Sequence, residues 1–196
     1  MTTETQAFDY AMGMFAVLIG LAVTDIAASF HRLLRNKSRV TWDPLALLAA
    51  FYALCMAVYM WFDIWGVRHF HATRHFLFYL GLVVDLFILY LVAAAALPDE
   101  TSEPVDLRAY YEGNRRHFWL LVTLFQLAYF AFGVYFARGE TTGLPTWIVL
   151  LGWGIMSAPV IISLLLLRSR SRALHYLGLV ALFIVMTLHY APAEIN

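Results

Sequence analysis

This chain has one cysteine, Cys55, and it lies inside an apolar run. No intramolecular disulfide can form, and a metal centre built on several thiolates is excluded. Charge is scarce as well: 13% of residues are Asp, Glu, Lys or Arg, and the formal net charge is zero. Bulk charge therefore gives no reason to expect a nucleic-acid partner. There is no Walker loop, no Gly-x-Ser-x-Gly, no HExxH and no TVGYG segment, so none of the nucleotide-binding, serine-hydrolase, zinc-protease or potassium-filter chemistries has its motif. No apolar run is rich in Arg, which removes a voltage sensor. Lys and Arg are missing from the first nine residues, so the N-terminus does not read as a cleavable signal peptide, and the first apolar run is expected to stay in the mature protein.

Hydrophobic residues make up 62% of the 196-residue chain, and mean hydropathy is +0.72. A soluble domain of this size needs more polar surface. Six apolar runs, at about 9–30, 44–66, 76–97, 117–137, 146–167 and 174–192, approach or exceed the roughly 20 residues that cross a bilayer. The expected fold is one all-α domain over 1–196: an integral membrane bundle of six transmembrane helices joined by short loops.

The basic residues between these runs alternate in number. Loops one, three and five carry four, three and three of them; loops two and four carry two and one. By the positive-inside rule, loops one, three and five face the cytoplasm and both termini lie outside. Trp42 and Trp119 then fall near the inner interface, and Trp61, Trp65 and Trp147 near the outer one. Twelve of the 13 basic residues are Arg and one is Lys37, which hints at a GC-rich bacterial genome and so at a bacterial inner membrane. In loop three, Pro104 is expected to open a short helix that Gly113 and Asn114 break before span four. Its Leu107, Tyr110 and Tyr111 would share a face that can rest on headgroups; the alternative is an ordinary polar turn that anchors span four.

Chemistry is sought among the polar residues inside the runs. Asp85 lies at the middle of span three and Asp25 two-thirds of the way along span one. A carboxylate at such depth costs roughly 2.5–3.5 kcal/mol on insertion scales, so a partner, water or a proton should compensate it. A low dielectric favours the neutral form of a carboxyl group, which suits proton exchange. The bland reading is a hydrogen-bonded Asp that holds two helices together. Arg32 shares a face with Asp25 but should reach away from it toward the headgroups. Asp85 is expected to face the bundle interior, where Tyr, Thr, Ser or Gln126 can meet it. Asp63, near the outer end of span two, is either a further station on an ion path or the partner of Arg68 or Arg74. Asp9, at the start of span one, is placed near water.

His71 and His75 form an i,i+4 pair able to hold a transition metal. Either one with His189 could ligate haem from facing spans; the plainer reading is interfacial polarity. Gly152, Gly154 and Pro159 predict a kink in span five, because proline removes a backbone hydrogen bond and clashes with the carbonyl four residues back. Ala16, Gly20, Thr24 and Ala28 predict a close helix contact on span one.

Three functions fit these residues. The first is a channel or transporter for protons or cations with Asp85, Asp25, Gln126 and Asp63 in the path and no cofactor. The second is an accessory or sensor subunit of a larger membrane complex, or a homo-oligomer. The third is a redox protein that binds haem or a transition metal at His71, His75 and His189. Beyond the lipid bilayer, no partner is specified.

Overall fold

The computed structural model describes residues 3–66, 76–99, 104–137 and 145–190. It is all-α, with six helices: α1 (Thr3–Arg35), α2 (Pro44–Gly66), α3 (Phe76–Ala96), α4 (Leu107–Ala137), α5 (Thr146–Arg168) and α6 (Arg172–Tyr190). Each is long and apolar enough to cross a membrane. His71 and His75, with Arg68, Arg74, Arg138 and the side chain of Asp9, lie outside the described residues.

The helices are apolar on both faces. On α2, Tyr52, Ala53, Met56 and Met60 are buried, yet Phe51 and Phe62 point outward; on α3, Leu82, Leu86 and Leu89 are buried, yet Val84 and Phe87 point outward. A helix that is hydrophobic all round has no water-facing side, the pattern of a helix surrounded by apolar medium.

Arg32 near the end of α1 meets Asp99 just after α3, and Asp43 just before α2 meets Arg172 at the start of α6. Successive helices therefore run antiparallel, and loops one, three and five gather at one end, here termed the basic end. Two short strands join there in parallel: β1 (Val40–Thr41) and β2 (Val105–Asp106), with Val40 opposite Val105 and Thr41 opposite Asp106. Each leads into a capped helix. The Asp43 carboxylate accepts the Ala46 N–H at 3.1 Å, with Pro44 in the first helical position, where its missing N–H is harmless. The Asp106 carboxylate accepts the Arg108 and Ala109 N–H groups at 2.8 and 3.2 Å.

Several sequence expectations are corrected at this end. Among the described residues loop three holds no separate helix: α4 runs unbroken from Leu107 through Gly113 and Asn114. Asn114 keeps its helical place because its Nδ2 donates to the Ala95 carbonyl at 2.7 Å, closing an orphaned group at the end of α3. Leu107 and Tyr111 are buried, not laid on a surface. Trp119 is fully buried too, since its indole N–H finds a partner inside. On α1 the packed face is Phe15, Ile19, Ala22 and Ile26. Gly20 of the small-residue face has open space around it, so the expected close contact does not form within the chain. The close contacts lie elsewhere. A Cβ on Gly178 of α6 would sit 2.7 Å from Leu166 of α5.

Candidate functional site

Two polar regions are built on this scaffold. The first is a network at the basic end. The Trp119 indole N–H donates to the Tyr111 hydroxyl oxygen at 3.0 Å, and Tyr111 lies 2.6 Å from His175 Nδ1. His175 Nε2 lies 3.3 Å from the Ser169 carbonyl, an acceptor only. The proton of His175 is thereby assigned to Nε2, and Nδ1 accepts from Tyr111. Beside this chain, Arg172 bridges Asp43 and Glu112. At the end of α1, Arg32 donates to Ser29 at 2.7 Å and to Asp99 at 2.9 Å. Asp25 lies within the fields of Asp99 and Arg32. Arg32 thus finds an anionic partner within the fold instead of reaching for headgroups.

The second region is a cleft of about 80 Å³ between α2, α4, α5 and α6. Its lining includes Tyr52, Asp63, Gln126, Tyr129, Pro159 and His189. They lie in the middle of the helices and toward the end remote from the basic loops. Two pairs cross from α4 to α2: Gln126 Nε2 donates to the Tyr52 hydroxyl at 3.0 Å, and the Tyr129 hydroxyl donates to Asp63 Oδ2 at 2.9 Å. Gln126 and Tyr129 stand three apart on α4 and so share a face. On α5, Pro159 offers no N–H to the Ile155 carbonyl one turn before it, and both residues line the cleft.

The sequence candidates divide accordingly. Asp63, Gln126, Pro159 and His189 come together around the cleft. Gly152 and Gly154 belong to the same helix, but a side chain added at either would meet nothing; they face away from the packing. Asp85 is 4% exposed, so it points inward, and its Oδ1 has no hydrogen-bond partner among the described residues. It does not line the cleft, but the charge of Asp63, which does, acts on it. Asp25 stands apart from both, at the basic end. Tyr52 and Tyr129 were not singled out from the sequence; their hydroxyls matter only because α2 and α4 meet. Among the described residues, no three of His, Cys, Asp and Glu gather as a metal site.

No protein-family model matches the chain, and no curated protein or solved structure is found to be similar to it.

Proposed function

We propose that this chain is an integral protein of a bacterial inner membrane that moves protons or cations, with both termini outside and Asp85, Asp63 and Gln126 along the path. The observation that carries the reading is Asp85: a carboxyl group in the middle of an apolar helix, buried, with an oxygen that no described residue satisfies. A group placed so has a structural cost. As mere glue it would be hydrogen-bonded across helices. As a station for a proton it needs a route to water, and Asp63, the carboxyl group at the cleft, is the one whose charge acts on it. Asp25, with Asp99 and Arg32 close by, provides a polar station at the basic end, which the positive-inside rule assigns to the cytoplasm.

The test of transport is flux through proteoliposomes loaded with a pH-sensitive dye. The native chain should dissipate an imposed gradient faster than empty vesicles; a rate equal to theirs removes the reading. Orientation has its own test. Alkaline phosphatase fused after Arg138 should be active and fused after Arg170 silent, and the reverse pattern would invert the topology.

A further inference from the structure

Four of the seven methionines of the chain line the cleft: Met56 and Met60 from α2, Met156 from α5 and Met186 from α6. Met56 and Met60 are one turn apart, so both thioethers fall on one face with Asp63. Met186 shares a face with His189 three residues on. By helical rise, Asp63 and His189 are nearest the end remote from the basic loops, Met60 and Met186 come next, and Met56 with Met156 lie deepest. Gly133 of α4 makes the space for Met156: a Cβ there would stand 2.6 Å from its Cε. Cys55, the one thiol, is not part of this lining.

We propose that the cleft is a binding site for a soft monovalent cation, Cu(I), held by thioethers drawn from Met56, Met60, Met156 and Met186, with Asp63 and His189 at its entrance. It rests on the cation reading above for its role, and on the cleft alone for the binding. Thioethers are neutral, soft donors that select Cu(I), whereas Zn²⁺, Mg²⁺ and Ca²⁺ favour imidazole, thiolate or oxygen. Size points the same way. At about 80 Å³, the cleft falls below the roughly 300–1,000 Å³ of sites for drug-sized ligands, so a single ion suits it better than an organic cation. The ion's charge is not cancelled by methionine, and the Asp63 carboxylate provides the counter-charge. No redox step is involved: the metal enters and leaves as Cu(I).

The experiment is a titration of the purified full chain in detergent with Cu(I), under anaerobic reducing conditions, against the chromophoric chelator bathocuproine disulfonate. One Cu(I) per chain should resist the chelator, with sulfur neighbours in X-ray absorption. The pair Met56→Leu with Met60→Leu preserves volume and so folding; it should weaken binding by about 10- to 100-fold, a scale reached even by outer-shell partners. Gly133→Ala displaces only the end of Met156 and should weaken it less. Met12→Leu, a buried methionine of α1 away from the cleft, should leave it unchanged. Failure to hold Cu(I), binding unaltered in the double variant, or a spectrum with only nitrogen and oxygen neighbours would each overturn the site. Cu(I) held without any flux upholds the site and removes transport; flux in a chain that holds no Cu(I) overturns the site and leaves the transport reading standing.

Discussion

At the basic end, ion pairs tie elements together: Arg172 lies between Asp43 and Glu112, and Arg32 lies against Asp99. At mid-helix, Asp85 has an oxygen with no partner among the described residues, and the charge that acts on it is that of another carboxyl group, Asp63. The two regions share one fold but solve opposite problems. The basic end spends its polar groups on joining α2, α4 and α6 and the three loops around them. The middle and remote part of the bundle leaves polar groups around a space. A structural polar group is satisfied and silent, and a functional one is held in place with capacity left over. Stability and activity should therefore be separable by mutation.

The largest stability effect is expected at Asp43. Asp43→Ala removes a helix cap and a charged hydrogen bond from the half-buried Arg172, which keeps Glu112, at a cost of about 2–4 kcal/mol. Unfolding of the purified chain in detergent micelles should show it, while Cu(I) binding by the folded fraction stays as in the native chain. Equal stability of the variant would deny the basic end its joining role.

Tyr111→Phe comes next. It strands the Trp119 N–H and His175 Nδ1 in a buried site, at about 1–3 kcal/mol. The same unfolding measurement reads it, and proton flux at a temperature well below the transition should not change. A loss of flux with native stability would move the functional region to the basic end.

Tyr129→Phe should have the smallest stability effect, about 1 kcal/mol or less, because the bond to Asp63 borders a cleft. Its mark is expected in function: without the hydroxyl that holds the Asp63 carboxylate at the cleft, proton flux should fall several-fold. Flux equal to the native chain's would take Asp63 out of the path.

Six helices are legible in the residues because apolar length is a local property, countable along the chain. The start of α4 is not. Gly113 and Asn114 read as breakers, and only the Ala95 carbonyl, far off in sequence, makes Asn114 an asset to the helix. Trp119 illustrates the same limit, since an indole near a span end suits an interface until a buried Tyr111 hydroxyl appears beside it. Around the cleft, Asp63, Gln126, Pro159 and His189 stand out as polar or helix-breaking residues in apolar runs. The methionines do not, because Met counts as apolar in any hydropathy reading. A usable signal was the i,i+4 spacing of Met56 and Met60 with Asp63 following, which places two soft donors and a carboxylate on one face. The convergence of Met156 and Met186 upon them depends on how α5 and α6 pack, and no local pattern carries it.

The contrast between an end joined by ion pairs and a centre holding a buried carboxyl group with no described partner rests on Asp85, and Asp85→Asn tests it most directly. Asparagine keeps the shape but cannot exchange a proton near neutral pH. The measurement is dye-reported proton flux in proteoliposomes holding equal amounts of folded native and variant chain. The account predicts flux reduced to the level of empty vesicles, with the unfolding transition of the variant at or above the native one. Native flux through well-folded Asp85→Asn would contradict it.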